Sequence, residues 1–248
     1  MNKIIFLLWC FTPSLILAQA IPDFSANYAI YYGNIQVGDI SEKLTTLDNG
    51  ERHYHSQSRA RGAFAFFKPD VITETSQWQE KQHQITPILY RYQRQGGKKQ
   101  RDIILNFQPP STADSLVRTV NITRQGHRSS NDVTINTIDK LYYRLALMAD
   151  LQHNKATLQY DVIDHKKQRQ YILQRGETEL LTTPLGKLST IKIHRSNQNN
   201  QRHTILWCAP ALAYLPVKLS HTEKDGRQYT AILRQLTGLY PSPQSEEP

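Results

Sequence analysis

The chain has 248 residues, 30 Lys and Arg against 21 Asp and Glu, a formal charge of +9 and an apolar share of 39%. These proportions exclude collagen, a disulfide-dense miniprotein and a polytopic membrane protein. Tyr, Phe, Leu and Ile are spread along the whole length, which excludes a wholly disordered chain.

Residues 1–20 read as a secretory signal peptide. Lys3 supplies the basic start, Ile4 to Leu17 is apolar, and Ala18-Gln19-Ala20 is an A-x-A cleavage site, so cleavage is expected after Ala20. The apolar run is short for a membrane span and Pro13 interrupts it. A lipid anchor on Cys10 is disfavoured by the bulky Trp9 before it. Cleavage takes Lys3, leaves a charge of +8 and lowers the apolar share to about 36%. The expected location is the periplasm. Only Cys208 survives, so no intramolecular disulfide is available and packing alone holds the fold.

The mature chain opens with an aromatic strand, Phe24 to Tyr32, turned by Gly33-Asn34 and returned over Ile35–Leu47. Asp48-Asn49-Gly50 is a tight-turn signal, because Asn and Gly accept the positive φ that hairpins need. Strands follow over Arg52–Ala60, Val71–Trp78 and Ile88–Tyr92, then the turn Gly96-Gly97 and a return over Arg101–Phe107. Pro109-Pro110 begins a loop through about Leu116, and no strand is read between there and Thr137. Ile138, Leu141, Tyr142, Leu145, Met148 and Leu151 recur at helical spacing, predicting one helix over 137–152 with Thr137 or Asp139 as its cap. Further strands are expected over 156–163, 170–174, 177–182, 188–194, 204–208, 215–221 and 229–236. Pro241–Pro248 reads as a disordered tail. The economical architecture over 21–240 is one mainly β domain. A single strongly curved antiparallel sheet, or incomplete β-barrel, carries the helix on its concave side.

The stretch Thr183-Pro-Leu-Gly186-Lys-Leu-Ser-Thr-Ile191 leads to Ile205-Leu-Trp207, then Leu215-Pro-Val-Lys218 and Lys224-Asp-Gly226. This resembles the DUF3108 family, exported bacterial proteins of unknown function. The Tyr28…Gly33…Gly38 pattern and the helix opening at Asp139 are similar to it as well. The resemblance implies a periplasmic β-rich domain with a shape like the half-barrel of lipoprotein carriers. It brings no catalytic residues, and Cys208 after the Trp is not part of the pattern.

Several residues have chemical potential. His53 and His55, at i and i+2, share a strand face, and His194 and His203 flank a turn that can bring them together. Two imidazoles fall short of a structural metal's four ligands, and Arg195 and Arg202 disfavour a cation beside the second pair, so no metal is assigned. Cys208 ends an apolar strand and reads as a core residue. Glu177 and Glu179 share a face with Lys187 in reach, a pattern read mainly as a solvated rim. No G-x-S-x-G elbow, H-E-x-x-H, P-loop or dinucleotide fingerprint occurs, so no cofactor is called for.

Two surface segments stand out. Arg94, Lys98, Lys99 and Arg101 crowd one hairpin tip, which in an envelope compartment points to anionic lipid rather than nucleic acid. Phe64, Phe66 and Phe67 lie in four residues bounded by Gly, Lys and Pro. The leading expectation is non-enzymatic binding of an apolar or amphipathic envelope component between sheet and helix. Its expected contacts are Phe64, Phe66, Phe67, Trp78 and Trp207. The alternatives are an envelope-polymer hydrolase using His53 or Glu177, and an assembly scaffold using a strand edge.

Overall fold

The computed structural model describes residues 21–81, 84–112, 114–165, 167–196 and 202–239. The signal-peptide expectation for 1–20 and the tail expectation for 241–248 lie outside these residues.

Eight strands form the first half: β1 (Phe24–Tyr32), β2 (Ile35–Thr46), β3 (Glu51–Ala60), β4 (Val71–Lys81), β5 (Gln84–Gln95), β6 (Arg101–Phe107), β7 (Val117–Arg124) and β8 (His127–Thr134). A one-turn helix α1 (Ala63–Phe67) joins β3 to β4. The second half holds β9 (Ile138–Asp139), helix α2 (Tyr143–Gln152), β10 (Leu158–Asp164), β11 (Lys167–Thr183), β12 (Gly186–Ser196), β13 (His203–Ala209), β14 (Leu215–Thr222) and β15 (Gln228–Thr237). Each half is an antiparallel meander, apart from the parallel β9–β10 pair. The halves join where β1 pairs with β15, giving one mostly β, open sheet of fifteen strands, as the curved-sheet expectation required.

The sheet's two edge strands, β8 and β9, are neighbours in sequence. Residues 135–137 alone connect them, and so few residues reach only about 14 Å. The sheet is therefore compelled to curl until its edges meet. Side chains then lace the seam. The Thr134 hydroxyl donates to Asp161 Oδ2 at 2.9 Å and the Thr134 amide to Gln168 Oε1 at 3.2 Å, while across the interior Ser76 on β4 donates to Asp139 at 2.6 Å.

Helix α2 fills the curl. Tyr143, Leu145, Leu147, Met148 and Leu151 are all buried, and at 100° per residue their directions span a little more than half the helix circumference. A helix apolar on so many sides belongs inside a core rather than against one wall. Among the described residues no helix is long and apolar enough to cross a membrane.

The helix begins later than its apolar repeat suggests. Asp139 Oδ1 accepts the amides of Leu141 at 2.8 Å and Tyr142 at 2.9 Å, holding 140–142 in a turn. Ile138 and Asp139 are meanwhile paired with Val162 and Ile163. The segment 117–134, for which no strand was expected, is the β7–β8 hairpin. The two strands expected over 170–182 are one, β11, bent by an irregularity between Arg175 and Thr178. Gly176 fits there because a Cβ would press on the His194 ring, 2.8 Å from Nε2.

Candidate ligand sites at the two ends of the central helix

Among the described residues helix α2 lies between two cavities. Strand registers give the sheet two ends. One, the α1 end, carries α1, the β5–β6 tip and the β10–β11 turn, since Arg101 reaches within 3.4 Å of the His165 ring. The other carries Ile21 and the β2–β3 turn.

The cavity at the Ile21 end has a volume of about 700 Å³. Leu44, Trp78, Ile85, Ile138, Tyr142 and Leu145 form its apolar part, while Glu80, Asp150, His153, Lys155 and Asp161 line the rest with polar and charged groups. Trp78 meets Tyr142 edge to face, ring centroids 4.7 Å apart. The Arg52 guanidinium lies 6.0 Å from the Trp78 ring and donates from Nη2 to the Ile21 carbonyl at 2.7 Å. Its Nε and the Trp78 Nε1 are both buried with no acceptor. Two orphaned donors buried in the wall of one cavity are costly, about 1–3 kcal/mol each.

The cavity at the α1 end is larger, about 980 Å³, and charged. On its walls Arg144 Nη1 donates to Glu42 Oε1 at 2.6 Å, and the Tyr54 hydroxyl donates to the other carboxylate oxygen at 2.6 Å. Lys140 pairs with Glu74 at 3.3 Å, and the Tyr90 hydroxyl donates to the same oxygen. Behind the seam, burial pushes the Asp139 carboxyl up to about 6 against the hydrogen bonds it accepts from Ser76, Tyr142 and Leu141.

The five expected apolar contacts are dispersed. Trp78 lines the cavity at the Ile21 end. Phe66 and Phe67 stand on α1, 89% and 85% exposed, while Phe64 beneath them is half-buried. Trp207 lines neither cavity. It alternates with inward Leu206, and on the outer face Lys218 lies over its ring at 4.4 Å while Nε1 donates to Glu179 at 3.0 Å.

The basic tip is built against α1. Gly96 and Gly97 approach Pro69 and Asp70 so closely that a Cβ at either would collide with the Pro69 carbonyl or the Asp70 carboxylate. Arg94 forks onto Asp70 at 2.9 and 2.6 Å, and that fork holds the Asp70 carboxyl below the usual range. Lys98 and Lys99 remain exposed beside the two phenylalanines' segment.

His53 and His55 face outward from β3, the first at 2.7 Å from Glu51 and the second at 3.3 Å from Thr75. His194 and His203 do meet, ring centroids 5.7 Å apart. Among the described residues no three His, Cys, Asp or Glu side chains converge as a metal would require. Glu177 and Glu179 both hold Lys192, at 2.6 and 2.8 Å, and that ammonium depresses both carboxyls. Lys187, expected in this role, lies farther along the strand opposite Thr182. Cys208 is fully buried and its thiol is pushed up by burial.

Arg52, Glu42, Arg144 and Arg195 all face the interior, and sequence reasoning did not single them out as site residues. Their signal was available: Glu42 sits between Ile40 and Leu44, and Arg52 two before Tyr54, at inward positions of a period-two strand.

A family model described as a protein of unknown function, DUF3108, matches residues 27–234, and the chain belongs to this family. Among solved structures, the chain is similar to the crystal structure of a beta-barrel-like protein of domain of unknown function DUF1849 from Brucella abortus. The TM-score is 0.59 at 8% identity, over 89% of this chain and 98% of that one, a likeness of fold alone. No curated protein matches.

Proposed function

We propose that this DUF3108 protein is an exported, non-enzymatic binder of an apolar or amphipathic envelope component, held between α2 and the sheet at the Ile21 end. One observation carries the reading. A cavity of about 700 Å³, the size of small-ligand sites, is walled by Trp78 and Arg52, whose Nε1 and Nε are buried in that wall without acceptors. A ligand with an apolar body would fill the volume, and a carbonyl or carboxylate head would satisfy these donors once the Trp78 and Arg52 side chains turn toward it. Export rests on the basic, apolar and A-x-A pattern of residues 1–20.

The α1 end supplies a second contact in this reading. Phe66 and Phe67 project almost fully into solvent beside Lys68 and near Lys98 and Lys99. Aromatic rings flanked by cations suit the boundary of an anionic bilayer, where rings enter the interface and ammonium groups meet phosphates. A hydrolase using His53 or Glu177 finds less support, since both lie on the outer face in contact with Glu51 and Lys192. The scaffold reading rests on the β8 edge, whose side chains are mostly exposed and polar, a composition that blunts strand addition.

The test is native mass spectrometry of gently purified protein, followed by titration of delipidated protein with a lysophospholipid. Uptake with a raised melting temperature is expected. Trp78→Phe, which keeps the ring and removes the donor, should weaken it. Delipidated protein that takes up nothing and melts unchanged would overturn the reading.

A further inference from the structure

The cavity at the α1 end has its own chemistry, independent of amphiphile uptake at the opposite end. Leaving aside Arg202, which pairs with Glu223 at 3.0 Å, five cations line it: Lys140, Arg144, Lys167, Arg169 and Arg195. Three carboxylates share the space, and each has a partner. Glu42 is held by Arg144, Glu74 by Lys140, and Asp164 by His165 at 2.5 Å.

Arg195 is different. It faces the cavity from β12, and no carboxylate among the described residues lies within ion-pair distance of it. Neutral groups hold it instead. Nη1 donates to the Tyr143 hydroxyl at 3.1 Å and Nη2 to Thr204 Oγ1 at 3.3 Å. Its guanidinium lies 4.5 Å from the Tyr171 ring centroid and 5.3 Å from that of Tyr143. Two aromatic faces and two hydroxyls fix the plane of the fork, leaving charge and N–H groups unspent. Such a preorganised guanidinium matches an oxyanion in two-point geometry. Lys167 and Arg169 add positive charge on the neighbouring strand, which suits an anion able to carry more than one negative charge.

We propose that this cavity binds a phosphate ester, with Arg195, oriented by Tyr143, Tyr171 and Thr204, gripping the phosphate. The ester is a small soluble phosphate or the same group at the head of a lipid. The volume of about 980 Å³ accommodates a glycerol or sugar moiety beside the anion.

The experiment is isothermal titration of the full chain, at low salt, with sn-glycerol 3-phosphate and separately with phosphatidylglycerol vesicles. Saturable binding is expected, weakened about tenfold or more in Arg195→Gln and partly retained in Arg195→Lys. Binding of glycerol phosphate identifies a soluble ester; binding to vesicles alone, with the same dependence on Arg195, identifies a lipid headgroup. Glycerol phosphate has no apolar tail, so its binding is distinguishable from amphiphile uptake near Trp78. If Arg195→Gln fails to fold by circular dichroism, Tyr171→Leu is the second variant and should also weaken binding. Absence of heat with both probes, or unchanged affinity in the folded variants, would overturn the proposal.

Discussion

Arg144 on the central helix and Glu42 on the sheet wall meet at 2.6 Å in a buried ion pair, with the Tyr54 hydroxyl on the second carboxylate oxygen. Glu42 is 2% exposed, so removing its partner strands a charge in the interior. Arg144→Ala is expected to cost about 3–5 kcal/mol. The double change Glu42→Leu with Arg144→Met should recover most of that, because no charge is then left unpaired. Urea unfolding of the wild type and the two variants measures both effects, and a double variant no more stable than Arg144→Ala would contradict them.

Asp139 sets a pH dependence. Burial raises its carboxyl from the ordinary 3.8 to about 6, so between those values the native state holds the extra proton. Stability therefore falls as pH rises through that window, by roughly 3 kcal/mol in all, and is flat in this respect above it. Asp139→Asn cannot ionise and keeps an oxygen for the Leu141 and Tyr142 amides. The wild-type and variant urea midpoints should converge toward pH 4 and separate toward pH 7, with the variant the more stable. Parallel curves would show that Asp139 does not titrate in the native state.

The cavity beside Trp78 can be closed from the helix. Ala146 lines it and is partly buried, so a larger side chain there grows into the cavity. Ala146→Phe should abolish lysophospholipid uptake while the melting transition stays cooperative. Native mass spectrometry and a thermal scan check the two halves of that statement.

Phe66 and Phe67 contribute little to the core, being 89% and 85% exposed. Changing both to Ser should alter stability by no more than about 0.5 kcal/mol. Co-sedimentation with phosphatidylglycerol vesicles should nonetheless drop. Unchanged sedimentation would remove the α1 end from any role at a lipid surface.

Cys208 is sealed in the core with its thiol held protonated by burial. Iodoacetamide should leave the folded protein unmodified and label it fully in denaturant. Cys208→Ser, which buries a hydroxyl in place of the thiol, should cost about 1–3 kcal/mol.

Strand positions were readable where one face is apolar and a turn residue closes the hairpin. Asn49-Gly50 turns β2 into β3 as its chemistry requires, with Gly50 at φ 79°. The β7–β8 hairpin escaped because β8 buries only Val133, while on β7 the buried face carries Arg118 and Val117 lies outside, so the apolar residues do not follow the alternation of burial. The helix start escaped for another reason. Ile138, Leu141 and Tyr142 fit the apolar repeat equally well as turn and strand, and the carboxylate of Asp139 decides between them. The cavities were less legible still. Trp78 and the three phenylalanines are alike in chemistry, yet the registers of β3 and β4 send them to opposite ends of the sheet. Arg195 drew notice only as a charge near two histidines, because its lack of a carboxylate depends on pairings made by β2, β4 and β10.

The pairing of β1 with β15 joins Asn27 to a partner 208 residues away, Gln235, at 3.2 Å. A chain emerging N-terminus first has β2 ready to cover one edge of β1, while the other edge waits for Gln228–Thr237. Until those residues arrive, a strand carrying Phe24, Ala26 and Tyr28 presents bare amides and carbonyls beside apolar side chains. A pairing across so long a stretch of chain is entropically costly to close, and until β15 covers it that edge of β1 is an exposed strand edge of the kind that favours aggregation.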